Sequence, residues 1–494
     1  RFNPIKSQKN EYRKSYTNNL QMNGFAEYEV LKGLKLKVSA GYTYDSRKQD
    51  QFNNSNTRYG GPTSTDKVNA QVTRQERLTW LNENTLTYQT NIKKKHFLNV
   101  LGGITFQNSY YEIYSFRTTH IPNESLGMAG MSEGQAGTTT SAKSSWAMLS
   151  YLGRVTYNYM SKYYATASFR ADGSSKFNKA NRYGYFPSAS LAWSFTEEEF
   201  MKPLKSVLSS GKIRLSWGLT GNNRIGEYDY YALLAVLKSR VGSYTSTNSL
   251  PSGVYPFDND ATNAGVVPTS LPNKDLKWEG STTANLGIDV GLFQNRLNLT
   301  ADFFLKNTKD LLLEQKLAYV TGFNSQWQNI GKIENKGIEL NINSTNIQTR
   351  NFLWQTDFNI SFIKNTLKAL QDGTSYIQSA TKFNSNFNGN DYISIVGSSL
   401  GQMYGYVFDG VYQTSDFNML PNGTMQLKPG VADISKHAGK TAVPGMVKYK
   451  DIDGDGIITP DDRTTIGNGQ PDWYGGITNT FNYKNIDFSF MFQF

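Results

Sequence analysis

An acidic segment near the carboxyl end of the chain has the spacing of a calcium-binding loop. Its predicted ligands stand at positions 1, 3, 5, 7, 9 and 12 of a twelve-residue pattern: Asp451, Asp453, Asp455, Ile457, Thr459 and Asp462. Ile457 would contribute its backbone carbonyl, and Gly456 permits the sharp turn at position 6. Because the loop supplies every ligand position, we predict a structural Ca²⁺ site.

Two features distinguish this segment from a helix-loop-helix calcium hand. Position 12 is Asp462, whose side chain is shorter than that of the usual bidentate glutamate. The preceding residues 446–450 have an extended pattern, which predicts an isolated loop. An Asx-rich turn without an ion is the alternative interpretation.

The chain lacks the residue patterns of common catalytic sites. Its three histidines, His96, His120 and His437, have no metal-ligand partner at close spacing, and the chain has no cysteine. It contains no P-loop, dinucleotide fingerprint or Gly-x-Ser-x-Gly elbow. We therefore predict that the protein is not an enzyme.

Alternation of apolar and polar side chains predicts the elements that must position such a loop. In residues 34–45, Leu36, Val38 and Tyr42 lie on one side of an extended chain, and Lys37 and Thr43 on the other. One face therefore favours an apolar environment and the other favours water. The predicted strands are 20–30, 34–45, 75–89, 96–116, 144–159, 162–173, 185–196, 211–220, 281–292, 296–307, 335–347, 351–365, 473–484 and 486–494.

The connectors between these strands alternate between short and long. Most short ones have a few residues, whereas the segments 221–280 and 366–472 are long enough for loops with structure of their own. The exception among the short connectors is 197–210, which is longer and whose sequence predicts a short helical turn. Outer-membrane barrels separate short periplasmic turns from long extracellular loops in this way.

Composition agrees with a barrel and excludes helical membrane spans. The mean hydropathy is −0.53, and no apolar run approaches the roughly 18 residues that a spanning helix needs. A barrel needs only every second strand residue to be apolar, and the 14% aromatic content suits interfacial girdles. The predicted fold is all-β, an antiparallel transmembrane β-barrel with about 14 visible strands.

Other classes account less well for these patterns. Strands of a soluble β-sandwich average about five or six residues, and a solenoid requires a fixed repeat that is not found. The net charge is +11, but the basic residues are scattered along the chain, so we predict no nucleic-acid partner. The chain opens with Arg1 and carries no leader sequence, which predicts either processing on export or an internal piece of a longer protein.

Several motifs, in order and spacing, resemble the SusC/RagA-like branch of TonB-dependent outer-membrane transporters over most of the chain. They are RADGSSKF (170–177), FPS (186–188), KIRLSWGLTGNN (212–223), LKWE (276–279), NIG (329–331), NKGIE (335–339), VKYKDIDGDG (447–456), IG (466–467), YGG (474–476), YK (483–484) and DF (487–488).

The resemblance implies that residues 1–494 are part of a TonB-dependent receptor barrel. Family barrels have about 22 strands, so an incomplete barrel is expected, with the plug, the TonB box and the last strands outside this chain. Residues 445–472 would form an extracellular loop that contains the calcium-type segment.

The resemblance also implies energised uptake of a large nutrient, an oligosaccharide or a peptide, across the outer membrane of a Gram-negative, Bacteroidetes-type bacterium. TonB and a SusD-like surface lipoprotein would be the protein partners, and outer-membrane lipid would surround the barrel. Tyrosines in the long loops offer flat apolar faces with polar rims for such substrates. The candidates are Tyr228, Tyr230, Tyr231, Tyr244, Tyr404, Tyr406 and Tyr412.

Three alternatives to energised uptake remain open. The first is an outer-membrane adhesin or passive channel, which uses the same wall without energy coupling. The second is a hydrolase with its site on the barrel rim, and the third is a soluble extracellular β protein.

Overall fold

The computed structural model describes residues 3–236, 266–371, 373–381 and 389–494, and Tyr244 lies outside them. Fourteen long strands form one antiparallel sheet in which strand order follows chain order. They are β1 (Glu11–Leu31), β2 (Leu34–Asn53), β3 (Asn69–Ile92), β4 (His96–Thr119), β5 (Gln135–Tyr159), β6 (Tyr163–Ser174), β7 (Tyr183–Trp193), β8 (Leu208–Asn222), β9 (Glu279–Leu292), β10 (Leu297–Lys309), β11 (Lys332–Gln348), β12 (Phe352–Ala369), β13 (Trp473–Tyr483) and β14 (Ile486–Gln493).

All fourteen predicted strands are present, which confirms the predicted fold class. Within the described residues, β1 and β14 each pair with one neighbour, so the sheet has two free edges. No helix in the described part of the chain has the length and apolar character needed to cross a membrane.

Several strands extend beyond their predicted ends, and the longest extensions lie at the ends away from the short connectors. β1 begins at Glu11 rather than residue 20, and β2 ends at Asn53 rather than residue 45. The two strands stay paired in register from Glu11 opposite Asn53 to Asn19 opposite Asp45. Both faces of these extensions are mostly polar, so the apolar alternation stops while the backbone ladder continues.

The connectors keep their predicted asymmetry. The short ones are 32–33, 93–95, 160–162, 194–207, 293–296, 349–351 and 484–485. The longest of these contains the expected helical turn, as the 3₁₀ segments Phe195–Glu197 and Glu199–Leu204. The long connectors are 54–68, 120–134, 175–182, 223–278, 310–331 and 370–472.

The long connectors contain most of the remaining regular structure. Their strands are Leu234–Val236, Val266–Pro268, Leu312–Lys316, Ser325–Asn329, Tyr376–Ser379, Tyr392–Ile395, Gln402–Gly405, Phe408–Val411, Phe417–Met419, Met425–Leu427, Val447–Tyr449 and Thr464–Asn468. Other 3₁₀ segments are Glu124–Glu133, Lys179–Asn181, Tyr319–Thr321, Thr414–Asp416 and Pro460–Asp462, and the α-helices are α1 (Pro4–Asn10) and α2 (Ser435–Ala438).

The chain divides into two compact units. The first comprises Arg1–Leu191, Gly218–Gly280 and Leu312–Asn329, and the second comprises Ala192–Trp217, Ser281–Leu311 and Ile330–Phe494. In each unit, much of the sheet's apolar surface is exposed, as Val38 and Tyr42 are in the first unit and Leu215 in the second. This is the surface that a barrel turns toward lipid.

The larger buried apolar clusters lie among the loops and at strand ends. The first unit has one around Phe52, Ala70 and Ile121 and another around Phe177 and Leu276. The second unit has one around Tyr412 and Ile458. These clusters give the long loops fixed positions.

Candidate functional site in the long loops

The connector 370–472 of the second unit forms a small module with its own apolar core. Tyr412, Phe417, Ile434, Ala442 and Ile458 are buried together in it. The strand Val447–Tyr449, which precedes the acidic segment, confirms that residues before this segment are extended rather than helical. The acidic segment is therefore supported by a packed module.

The structure brings three of the predicted calcium ligands together. Asp451, Asp453 and Asp462 each offer a carboxylate oxygen, and these three oxygens lie within 4.8 Å of one another. Asp451 accepts backbone N–H bonds from Gly454 at 2.7 Å and Gly456 at 2.8 Å. Both glycines have φ near +80°, a conformation that favours glycine and lets the chain curl around the carboxylates.

The electrostatics of this cluster favour a cation. The Asp455 backbone N–H lowers the pKa of Asp453, but desolvation and the charges of Asp455, Asp462 and Asp451 outweigh it, so this pKa is raised. Asp462 is fully buried, and burial alone would raise its pKa. Its bonds from the backbone N–H groups of Thr459 and Ile452, both at 2.8 Å, contribute to a lowered pKa instead.

The other predicted ligands take different places. The Asp455 carboxylate lies outside the group of three and accepts the Ile457 N–H at 2.7 Å. The Thr459 hydroxyl accepts the Asp461 N–H at 3.2 Å. Neighbouring Ile458 is completely buried in the module core, which anchors the loop.

One residue that supports this loop was missed by sequence reasoning. The backbone of Asp433 receives the Ile458 N–H at 2.9 Å and donates its own N–H to the Gly456 carbonyl at 2.9 Å. Asp433 precedes the acidic segment by eighteen positions and lies outside the twelve-residue pattern. The spacing rule for calcium loops therefore cannot identify Asp433.

Tyr404 and Tyr406 form a half-buried aromatic group in the same module. The Arg463 guanidinium carbon lies 4.4 Å from the ring centre of Tyr404 and 5.9 Å from that of Tyr406. Tyr406 also packs against His437 at 4.5 Å and Tyr449 at 5.1 Å. Burial raises the pKa of Tyr406. Both rings keep some exposed surface.

Tyr412 does not have the surface position that we predicted for it. Its side chain is only 1% exposed and packs in the module core. Its hydroxyl donates to the Ala432 carbonyl. The prediction that Tyr412 contacts substrate is therefore wrong, because the ring stabilises the loop from inside.

The three predicted tyrosines of the first unit differ in exposure. Tyr228 and Tyr231 are exposed, and the Tyr228 hydroxyl accepts the Ser145 N–H at 3.2 Å. The rings of Tyr230 and Tyr231 lie 4.0 Å apart. Tyr230 also packs against the cluster around Phe177, and desolvation together with the Tyr231 hydroxyl raises its pKa to about 12.

Two of the motifs that carry the family resemblance, RADGSSKF and LKWE, meet in this cluster of the first unit. Phe177 and Leu276 are fully buried there, and Trp278 packs against them. The Trp278 indole N–H donates to the Arg182 carbonyl at 2.9 Å, and the Lys176 ammonium donates to the Ile225 carbonyl at 2.8 Å. These motif residues hold the bases of the loops together.

A cavity of about 960 Å³ lies in the second unit, between β10, β11 and β12 and the segments 399–400 and 468–472. The Asn365 amide donates to the Asn335 side chain at 2.7 Å and accepts the Leu400 N–H at 3.0 Å. The Phe304 ring covers Gly337. An apolar wall with convergent amide groups is typical of a ligand site. Its residues are far apart in sequence, so no motif predicts it.

Comparison with known proteins shows the family. The model described as "TonB dependent receptor-like, beta-barrel" matches residues 2–483. The chain belongs to this TonB-dependent receptor barrel family. Membership confirms the predicted outer-membrane location and agrees with the prediction that the chain is not an enzyme.

Relatives of this TonB-dependent receptor barrel support the SusC/RagA-like assignment. It is 35% identical to TonB-dependent receptor P3 of Formosa agariphila over 483 residues, 95% of this chain and 44% of that protein. It is 33% identical to TonB-dependent receptor SusC of Bacteroides thetaiotaomicron over 350 residues, 69% of this chain and 30% of that protein.

A solved structure agrees with this assignment. A chain of the RagAB peptide transporter has 22% identity and a TM-score of 0.76, over 98% of this chain and 48% of that one. At this identity the likeness concerns the fold. The chain thus spans less than half the length of these relatives.

Proposed function

We propose that this chain is the barrel portion of a SusC-like transporter that imports a large nutrient, an oligosaccharide or a peptide. TonB would supply the energy, and a SusD-like lipoprotein would cover the long loops. The observation that carries the proposal is the match of the receptor-barrel family to residues 2–483, together with the SusC relative.

The geometry of the second unit supports a ligand of this kind. A cavity of about 960 Å³ exceeds the needs of a simple ion and lies within the range of sites for small organic molecules. The amides of Asn335 and Asn365 would hydrogen-bond hydroxyl or peptide groups of the ligand. The Phe304 ring beside them would stack on an apolar face of the ligand. RagAB, which has a similar fold, is described as a peptide transporter. For this reason we include peptides among the two proposed substrate classes.

We also propose substrate-contact roles for the loop tyrosines that keep exposed surface. These are Tyr228, Tyr230, Tyr231, Tyr404 and Tyr406. Tyr228 and Tyr231 have the largest exposed fractions of the five, and Tyr230 and Tyr406 are also held by neighbouring rings. Rings fixed in this way present a flat face without losing much side-chain entropy on binding.

The acidic segment is proposed as a structural Ca²⁺ site. Its support is the twelve-residue spacing and the three carboxylate oxygens of Asp451, Asp453 and Asp462 within 4.8 Å of one another. Asp455, the Ile457 carbonyl and Thr459 complete the proposed ligand set. An ion there would neutralise the charges that raise the pKa of Asp453 and hold the module in one conformation.

An adhesin or passive channel without energy coupling is the alternative function. The decisive experiment measures uptake of fluorescent oligosaccharides and fluorescent peptides by cells that express the full-length protein, with and without TonB. We expect uptake of one substrate class, abolished when TonB is deleted. Uptake that persists without TonB would favour a passive channel, and surface attachment without uptake would favour an adhesin.

A matched pair of variants connects uptake to the cavity. Leu400→Trp places a large ring at the cavity wall, so we expect uptake to fall, because the ring takes up space that the ligand would occupy. Met419→Trp, in the same connector but 72% exposed and outside the cavity lining, should leave uptake unchanged. Equal uptake by both variants would remove the cavity from the proposal.

A further inference from the structure

Most basic residues are scattered along the chain, but the seven short connectors, which we call the short-turn rim, are enriched in them. The rim carries ten lysines and arginines: Lys32, Lys93, Lys94, Lys95, Lys162, Lys202, Lys205, Arg296, Arg350 and Lys484. Its acidic residues are Glu197, Glu198 and Glu199, all in one connector. The rim therefore carries a net charge of +5 in the first unit and +2 in the second.

Several of these cations project freely from their turns. Lys93, Lys94 and Lys95 of the first unit are exposed, and among the described residues no carboxylate forms an ion pair with them. Arg350 and Lys484 of the second unit are likewise exposed. By contrast, Lys202 and Lys205 pair with Glu199 and Glu197 inside their own connector.

The backbone conformation of the turns makes the choice of lysine informative. Lys93 and Lys94 have φ of 52° and 58°, and Lys484 has φ of 52°. Glycine and asparagine adopt this left-handed region at the least cost, so they are the usual residues at such turn positions. Uncharged residues adopt the same conformation in two other short turns, as Met160 and Phe293 do, so the conformation does not require a charge and the lysines add one to turns that form without it.

Aromatic side chains mark the level of the membrane boundary beside these cations. In the first unit, Tyr159 and Tyr163 flank the turn 160–162, and His96 follows the three lysines and packs against Tyr159 at 4.8 Å. In the second unit, the Lys484 ammonium lies 5.4 Å from the ring centre of Tyr483, which is 51% exposed. Aromatic rings of this kind sit at headgroup level, so the lysines beyond them reach the phosphate layer.

We propose that the short-turn rim of each unit binds the phosphate groups of anionic phospholipids in the leaflet that it faces. This inference rests on the proposed position of the chain in a membrane. Ammonium and guanidinium groups form charge-assisted hydrogen bonds with phosphate oxygens, while the adjacent rings occupy the boundary with the acyl chains. Lipid contacts at each turn would fix the depth and orientation of the strands in the bilayer.

The test measures lipid selectivity of the full-length protein reconstituted in phosphatidylcholine vesicles. Electron spin resonance compares protein association of spin-labelled phosphatidylglycerol with that of spin-labelled phosphatidylcholine. We expect a preference for phosphatidylglycerol that falls about fivefold or more in K93Q/K94Q/K95Q, since one basic residue near a membrane surface contributes about that factor. Raising NaCl from about 0.1 M to about 1 M should weaken the preference, because the Debye length shortens to about 3 Å.

The matched control is K179Q/K436Q/K440Q, which removes the same charge from exposed lysines in long connectors. It should keep the preference of the unchanged protein. No preference for phosphatidylglycerol in the unchanged protein, or an equal loss in both variants, would overturn the inference. Vesicle flotation distinguishes failure of this inference from failure of the proposed function. A protein that floats with the vesicles but shows no lipid preference contradicts only the inference, whereas a protein that does not float is not inserted in the membrane.

Discussion

The three clustered carboxylates are the most informative residues of the long loops. Asp451 and Asp453 accept backbone N–H bonds in the loop, yet each also has an oxygen in the group within 4.8 Å that includes Asp462. Like charges this close repel one another unless a proton or a cation intervenes. The proposed cation would relieve this repulsion.

Removing one of these carboxylates should weaken calcium binding. We expect Asp453→Asn to lower Ca²⁺ affinity about tenfold or more, because affinity of such loops depends on the number of charged ligands. Titration calorimetry of the full-length protein measures this change. Asp461→Asn, an exposed neighbour outside the cluster, should bind like the unchanged protein. No heat of binding up to millimolar Ca²⁺ would reject the site.

Asp462 should make the metal-free loop sensitive to acid. Its pKa is lowered below the ordinary value of 3.8 in the folded loop, so its contribution to stability is complete above that value. The contribution is lost as the pH falls through the lowered pKa. Hydrogen exchange at the Ile458 amide in EDTA, corrected for intrinsic rates, measures the local stability.

A substitution separates this effect from general acid unfolding. Asp462→Asn replaces an acceptor oxygen with an amide N–H₂ that faces a backbone donor, so the loop should lose about 1–3 kcal/mol at neutral pH. Its protection at Ile458 should then change little between neutral and acidic pH. A variant with the same acid sensitivity as the unchanged protein would assign that sensitivity to another group.

At the scale of elements, close packing between strands depends on individual glycines. A Cβ atom built on Gly337 of β11 would lie 2.4 Å from the Phe362 carbonyl oxygen and 2.9 Å from the Phe304 ring. The ring of Phe304 can cover β11 only because this side chain is missing. The same contact forms part of the cavity wall.

Gly337→Ala should therefore destabilise the barrel. We expect a loss of about 1–3 kcal/mol, since the backbone of β12 cannot move away without breaking its ladder. Heat-modified migration of the full-length protein in gels, or thermal unfolding in detergent, measures the change. Gly102→Ala in β4 is the control, because an added Cβ there meets no atom within 4 Å.

The strands are longer than the segments in which apolar and polar side chains alternate. Each extension continues an existing hydrogen-bonded ladder, as in the pairing of Glu11 with Asn53. Beyond the lipid both faces meet water, so selection for apolar side chains ends there. The long loops therefore connect the ends of these extensions.

At the scale of the whole molecule, the outward face should tolerate no charge. Val155 of β5 is 43% exposed and belongs to the apolar side of its strand, whereas Thr156 belongs to the polar side. Val155→Lys should cost about 2–4 kcal/mol, the range for a lysine near the bilayer midplane. Equilibrium unfolding of the full-length protein in lipid vesicles measures the loss.

The neighbouring substitution Thr156→Lys provides the comparison. It adds the same side chain one position along β5, on the opposite face of the sheet. We expect a change within about 0.5 kcal/mol, as for substitutions away from buried features. Equal costs at both positions would mean that the apolar face does not contact lipid.

Local patterns in the sequence determined the strands of the barrel and the spacing of the acidic segment. Strand alternation has a period of two, and the calcium-type spacing fits within twelve residues, so both are visible without knowledge of distant contacts. The family motifs were equally local, and their order identified the barrel type. For this reason the fourteen strands and the short and long connectors agree with the structure.

Tertiary structure alone decided which loop residues face outward. Tyr406 and Tyr412 occur in similar sequence surroundings, yet one is half-buried at the module surface and the other is fully buried, because Ile434 and Ile458 come from distant positions to cover it. The cavity near Asn335 and Asn365, and the support of the acidic loop by Asp433, have the same origin. Burial depends on contacts between residues far apart in the chain, and a local pattern carries no record of them.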